Sequence, residues 1–212
     1  MKRVTRNESL PARQFGEEVI KELHVAFKGI YKFEVRLVGS ARWNIILKEE
    51  GKPWDIDYQI LLTKNSKAYK LDKFGNPTKI KEDFFNYFNN RFKDKKGFKV
   101  ENSTTAITLI NNNSGYSFDF VIIKDRNQII RRNNNDRSGR NMYTWNELGD
   151  YDNAYYQFFR LTQKERINLI EEHILPRKKK EKAKVDSDPT KRSSCEVFIE
   201  EVNNYVYRKA NS

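Results

Sequence analysis

The sequence has one cysteine, two histidines and five prolines among its 212 residues. A disulfide within the chain needs two cysteines, so Cys195 cannot form one, and a cysteine-based zinc site is not expected. We predict structural or surface roles for His24 and His173, which lie far apart in the sequence. No apolar run is long enough to cross a membrane, and Met1–Asn7 lacks the apolar core of a signal peptide. We therefore expect a cytoplasmic protein with no membrane partner.

The composition is that of a folded protein with a highly charged surface. Hydrophobic residues make up only 37% of the chain, but aromatic residues reach 13% and supply large side chains for a core. Lysine and arginine number 41 against 29 aspartate and glutamate residues, which gives a net charge of +12. Such an excess attracts polyanions, including nucleoside triphosphates, RNA and DNA, without indicating which of them binds. The oligomeric state is not indicated.

Two aspartates lie two positions apart in a segment with the alternation of a strand. Side chains alternate between the two faces of a strand, so Asp55 and Asp57 share one face, while Trp54, Ile56 and Tyr58 take the other and can enter a core. Neighbouring carboxylates repel each other unless a cation lies between them. A hard divalent cation with oxygen ligands, such as Mg²⁺, is the usual solution.

A glycine–serine pair follows the preceding apolar strand. Gly39 and Ser40 end the predicted strand Lys32–Val38 and open a helix that we expect within residues 41–49. The backbone N–H groups and the hydroxyl of such a turn are suited to holding a phosphate. A phosphate site beside a dicarboxylate metal site is the minimum equipment for phosphoryl or nucleotidyl transfer.

A third carboxylate lies in a predicted hairpin. The Asn- and Gly-containing segment 111–115 separates two strand-like runs, and Asp119 stands in the second run between Phe118 and Phe120. An aspartate is rarely placed in an apolar strand without a partner. If this strand lies beside the strand of Asp55 and Asp57, all three carboxylates converge.

Together, Gly39, Ser40, Asp55, Asp57 and Asp119 resemble the motifs of the DNA polymerase β-like nucleotidyltransferase superfamily. The spacing looks most like the branches of the bacterial CD-NTases, cyclic GMP–AMP synthase and oligoadenylate synthase, and the CCA-adding enzymes are close relatives.

The resemblance covers roughly residues 15–123. It implies an α+β fold in which helices flank a mixed central sheet, with a nucleotidyltransferase core over residues 1–145 and a small helical region over 146–212. That region is shorter than the helical lobe of the larger family members.

The resemblance also implies a reaction. A nucleoside monophosphate would pass from a nucleoside triphosphate to a hydroxyl acceptor, such as a nucleotide or RNA, and pyrophosphate would leave. Asp55, Asp57 and Asp119 would be the catalytic residues and would bind Mg²⁺ or Mn²⁺. Nucleotide binding would fall to Gly39 and Ser40, and we add the cationic candidates Arg42, Lys64 and Lys164.

Two alternatives remain open from the sequence. A degenerate nucleotidyltransferase fold could bind nucleic acid without chemistry, with Arg131 and Arg132 as phosphate contacts, since arginine binds phosphate in a bidentate manner. A toxin-type enzyme could instead nucleotidylate a protein or a tRNA.

The helices carry their own signals. Ser9 is the expected cap of the first helix. Thr162 with Glu165 forms a predicted capping box, and Ser193 or Ser194 is the expected cap of the last helix. Pro176 is expected to end the helix that contains it, because proline lacks an N–H group.

Overall fold

The computed structural model describes residues 1–63, 76–124, 128–133, 142–147, 151–185 and 187–211. The chain divides into two compact units, Lys2–Leu148 and Gly149–Ser212. The first unit contains strands and helices, and the second contains helices. This arrangement confirms the predicted α+β class with a C-terminal helical region.

The first unit is built on a mixed sheet. The strands of the described residues are β1 (Lys2–Arg3), β2 (Phe33–Val38), β3 (Leu47–Lys48), β4 (Trp54–Leu62), β5 (Phe98–Asn102), β6 (Ala106–Asn111), β7 (Tyr116–Lys124), β8 (Gln128–Arg132) and β9 (Tyr143–Glu147). The main sheet has the order β2-β4-β7-β6-β5, and β8 joins β7 to β9. Only the β4–β7 pairing is parallel among these described strands, whereas β1 and β3 form a separate antiparallel pair.

The described residues of this unit form three helices: α1 (Arg6–Ala26), α2 (Gly39–Arg42) and α3 (Pro77–Phe92). The cap of α1 is Thr5, whose side chain accepts a hydrogen bond from the Glu8 N–H while the Glu8 carboxylate accepts one from the Thr5 N–H. The prediction of Ser9 as cap was wrong. The reciprocal Thr5–Glu8 pair starts the helix earlier, and Ser9 is buried within it.

Aromatic side chains fill the space between the helices and one face of the sheet. Phe84, Phe88 and Phe92 recur along α3 and are fully or almost fully buried. Phe88 packs on Phe120 of β7, with ring centroids 4.7 Å apart. The predicted helical stripe of phenylalanines is therefore core packing, and it leaves the opposite face of the central strands for polar residues.

The helix that we expected within residues 41–49 is shorter and starts earlier. It is α2, and Asn44 follows it with a φ of 56°. A left-handed residue cannot continue a right-handed helix. The chain then forms β3, which pairs with β1 near the N-terminus.

The second unit consists of α4 (Tyr151–Arg160), α5 (Gln163–Asn168), a π-helical segment (Leu169–Ile174), α6 (Leu175–Ala183) and α7 (Ser194–Ala210). The Thr162–Glu165 capping box is confirmed, and Ser193 caps α7 with Glu196 as its reciprocal partner.

Pro176 does not end its helix, contrary to our expectation. It lies in the first turn of α6, directly after the π-helical segment. The wider π turn accommodates the missing N–H group, so the chain stays helical to Ala183. In the described part of the chain, no helix is long and apolar enough to cross a membrane.

Candidate active site

The two aspartates of β4 lie on its polar face. Trp54, Ile56 and Tyr58 are buried in the core, whereas Asp55 is exposed and Asp57 is half-buried. The alternation predicted for this segment is confirmed, and it presents both carboxylates on the side of the sheet that the aromatic core leaves free.

The third aspartate lies on the neighbouring strand, in register with the first two. Strands β4 and β7 are parallel neighbours, with Asp57 directly opposite Asp119 and Asp55 directly opposite Ser117. Adjacent strands are spaced by about 4.8 Å, so residues in register on one face are close neighbours. The pairing therefore places three carboxylates on one patch of the sheet.

Gly39 is pressed against one of these carboxylates. It has a φ of +60°, and a Cβ atom built on it would lie 2.2 Å from Asp57 Oδ2 and 2.9 Å from Asp57 Cγ. Both the backbone conformation and the space require glycine here. The start of α2 is thus held directly over the acidic patch.

Two hydroxyl groups orient the carboxylates of Asp55 and Asp119. Ser117 Oγ donates a hydrogen bond to Asp55 Oδ1 at 2.5 Å, and Thr108 Oγ1 donates one to Asp119 Oδ1 at 2.6 Å. Burial raises the pKa of Asp119, the Thr108 hydrogen bond lowers it, and the charge of Asp55 raises it further; the net shift is upward. Burial thus disfavours the charged form of Asp119.

A divalent cation fits the chemistry of this patch. In their present orientations, the described side chains contain no group of three Asp, Glu, His or Cys residues arranged to hold a metal ion. However, Asp55 and Asp119 have no ion pair with a described lysine or arginine, and their hydrogen-bonded partners are neutral hydroxyls. Carboxylate oxygens gathered on one patch are hard donors of the kind that Mg²⁺ prefers.

The predicted cationic residues that the structure describes lie on different elements. Arg42 is exposed at the end of α2, with its guanidinium 5.2 Å from the centre of the Trp43 ring. Arg131 is exposed on β8, whereas the guanidinium of its neighbour Arg132 donates to the Asn102 carbonyl at 3.1 Å. Lys64 lies outside the described residues. Lys164 belongs to the other unit, in the first turn of α5, and its role stays a prediction.

Sequence reasoning missed Ser117, Thr108 and Lys81. The hairpin could have revealed Thr108, because the turn pairs Asn111 with Tyr116 and the antiparallel register then places Thr108 opposite Asp119. Ser117 shares the strand face of Asp119, two residues before it. Lys81 is fully buried on α3, one turn before Phe84, so the helical period alone would have placed it inside.

No protein-family model and no curated protein sequence matches this chain. Solved structures do match it, and they show that it has the fold of the CD-NTases, which agrees with the predicted resemblance.

The GTP-bound form of DncV from Vibrio cholerae aligns with a TM-score of 0.56 at 12% identity, over 82% of this chain and 45% of that one. The 3′-deoxy GTP-bound form of DncV from Escherichia coli aligns with a TM-score of 0.57 at 11% identity, over 83% and 46%. The V. cholerae DncV cyclic AMP–GMP synthase in complex with the linear intermediate pppA(3′,5′)pG gives 0.56 at 10% identity, over 82% and 47%. The chain therefore spans about half the length of the structures it resembles.

Proposed function

We propose that this protein is a metal-dependent nucleotidyltransferase. It would transfer a nucleoside monophosphate from a nucleoside triphosphate to a hydroxyl acceptor and release pyrophosphate. The observation that carries this proposal is the register of β4 and β7, which sets Asp57 opposite Asp119 beneath the Gly39 turn. Three carboxylates gathered on one face of two adjacent strands, beneath a turn that tolerates only glycine, have no evident role in stabilising the fold.

Asp55, Asp57 and Asp119 would hold Mg²⁺ or Mn²⁺. When bound, the cation would offset phosphate charge and lower the pKa of the acceptor hydroxyl.

The chain itself would do the positioning. The backbone N–H groups of the turn and the Ser40 hydroxyl would bind the triphosphate. Ser117 and Thr108 would fix the orientation of Asp55 and Asp119. Asp119 would accept the acceptor proton as the acceptor oxygen bonds to the α-phosphorus and the bond to pyrophosphate breaks.

A nucleotide or a polynucleotide is the acceptor that the charge favours. The net charge of +12 suits a polyanion and opposes a cationic acceptor such as an aminoglycoside. The similar structures were solved with GTP, with 3′-deoxy GTP and with a linear dinucleotide intermediate, which supports a nucleoside triphosphate as donor. Because the chain spans about half of those proteins, synthesis of a cyclic dinucleotide is not part of the proposal.

The test is transfer of label from each α-³²P nucleoside triphosphate with Mg²⁺ or Mn²⁺, in the presence and absence of RNA. We expect the wild type to give a labelled product and the Asp55→Ala/Asp57→Ala variant to fall by at least about 1,000-fold, because the metal ligands are lost. Asp94→Ala is the matched control, since Asp94 is exposed and lies just beyond α3. It should retain wild-type transfer.

The mobility of the labelled product would identify the acceptor class. Label on a protein or a tRNA would indicate the toxin-type reaction. Absence of transfer with either metal, together with salt-dependent RNA or DNA binding by both the wild type and the double variant, would refute the proposal in favour of a nucleic-acid-binding module.

A further inference from the structure

An arginine of α1 reaches across to the turn that lies over the carboxylates. The Arg13 Nη2 group donates to the main-chain carbonyl of Ala41 and, at 3.0 Å, to Asn44 Oδ1. Its Nε donates to Ser9 Oγ at 3.0 Å, one helical turn earlier on α1. Since Ala41 is the third residue of α2, a single guanidinium ties the first long helix to the far end of the Gly39–Arg42 turn.

This arginine is held without a counter-charge. Its acceptors are a carbonyl, an amide and a hydroxyl, and no described aspartate or glutamate pairs with it. The side chain is half-buried, and burial lowers the pKa of the guanidinium. An arginine that served only to join two elements would gain more from a carboxylate partner, as Arg91 does with Glu22.

Asn44, which accepts a hydrogen bond from Arg13, has a strained backbone conformation. Asn44 is the one non-glycine residue with a positive φ among those the structure describes. Its carbonyl accepts a hydrogen bond from Arg3 Nε at 2.8 Å while its amide oxygen accepts from Arg13. Strained backbone persists where the surroundings hold it in place, and such positions concentrate at functional sites.

The two ends of the turn therefore have different constraints. At its start, Gly39 lies against the Asp57 carboxylate, so a shift of a few tenths of an ångström changes that contact. At its end, Arg13 holds Ala41 and Asn44. Because the turn is short, the contacts that hold its end also determine the positions of its first N–H groups and of Ser40.

We propose that Arg13 is a positioning residue for the nucleotide site, which fixes the Gly39–Arg42 turn over Asp57 so that the turn can receive the triphosphate. The inference rests on the proposed function, because it assumes that the turn binds the nucleotide. Arg13 acts through the turn and does not itself touch the nucleotide.

The test measures how tightly the wild type and the variants of the full chain bind α-³²P ATP and GTP in EDTA. EDTA removes divalent cations, so the turn binds the nucleotide without help from a metal. We expect Arg13→Ala to weaken binding by about tenfold. Arg13→Lys should weaken it by less, because the lysine ammonium can replace some of the hydrogen bonds that the guanidinium donates. Guanidinium chloride at millimolar concentration should restore part of the affinity of Arg13→Ala, and sodium chloride should not. In the transfer reaction, the KM for the nucleotide should rise more than kcat falls.

Arg91→Ala is the matched control. It also removes an arginine that ties α1 to another element, through Glu22, but at a place remote from the turn in the chain. It should bind both nucleotides as the wild type does, even if its melting temperature falls.

Asn44→Gly tests the same contact if Arg13→Ala fails to fold. Glycine keeps the φ of 56° without strain and removes only the amide acceptor, so we expect binding to weaken by about threefold. Wild-type affinity in Asn44→Gly and in a folded Arg13→Ala would overturn the inference alone. A wild type that binds neither nucleotide and transfers no label would instead reject the proposed function, and the inference with it.

Discussion

Replacing Gly39 by alanine is expected to lower nucleotidyl transfer by about 100-fold or more while the protein still folds. The new Cβ atom would lie 2.2 Å from Asp57 Oδ2, far inside van der Waals contact. Because Asp57 lies on β4, an interior strand that pairs with β2 on one side and β7 on the other, the carboxylate or the turn must shift rather than the strand. Either shift separates the phosphate-binding turn from the metal ligands, whose relative position decides the rate.

Gly51→Ala separates the local clash from the cost of the backbone conformation. Gly51 has a φ of +74°, close to the +60° of Gly39, but nothing lies within 4 Å of the Cβ atom that alanine would add. Both variants should therefore lose about 1 kcal/mol of stability from the left-handed conformation. Only Gly39→Ala should lose transfer. Melting curves measured beside the labelled-nucleotide assay provide the comparison, and equal activity in the two variants would show that the Gly39 turn is not part of the active site.

The sheet and its acidic face could be predicted because their signals are local. The alternation around Asp55 and Asp57 fixes the face of each side chain, and the turn between β6 and β7 fixes the hairpin register. No local signal predicts that β4 and β7 are neighbours in the sheet. These strands are separated by α3 and a hairpin, so the sequence offered only the conditional statement that the carboxylates meet if the strands do.

The parts that sequence reasoning missed depend on contacts between distant segments. Arg13 and Asn44 are 31 positions apart, and neither has a pattern that indicates the other. Part of the segment that we expected to be helical is instead the short strand β3, because it pairs with β1. Local propensity cannot anticipate such pairings, because their energy comes from a partner that lies elsewhere in the chain.

Lys81 gives the second large effect, on stability. Its side chain is 0% exposed, and Nζ donates to the Thr105 carbonyl at 2.6 Å, with no described carboxylate in an ion pair. The pKa of Lys81 is lowered from 10.5 to about 7, chiefly by burial and also by the charge of Arg132, while the charge of Asp119 offsets part of the shift. A buried ammonium that has a carbonyl and, at 5.6 Å from Nζ, the Tyr143 ring as partners, but no carboxylate in an ion pair, costs stability whenever it is charged in the unfolded chain.

The sign of the pH dependence follows from the two pKa values. Between about pH 7 and pH 10.5, the unfolded lysine holds its proton and the folded lysine loses it, so the unfolded state binds more protons. The free energy of unfolding must then rise with pH, by about 1.4 kcal/mol per pH unit from this residue alone. Below pH 7 both states are protonated, and the full cost of burying the charge remains.

Lys81→Met should therefore be more stable than the wild type at pH 7, by about 2 kcal/mol after the loss of the hydrogen bond to Thr105. Methionine keeps an unbranched side chain of similar length for the core. The advantage should shrink by about 2 to 3 kcal/mol between pH 7.5 and pH 9.5, so the two stability curves converge and then cross. Urea unfolding at a series of pH values measures this difference, in which the other titrating groups cancel.

Lys79→Met supplies the comparison on the same helix. Lys79 is exposed and pairs with Asp83, so its removal should shift stability by less than about 1 kcal/mol and leave the pH dependence as in the wild type. If the difference between wild type and Lys81→Met stays constant from pH 7.5 to 9.5, Lys81 keeps its proton in the folded protein throughout that range. The amine would then have to be solvated by water in the folded state, contrary to its burial between α3 and the loop that carries Thr105.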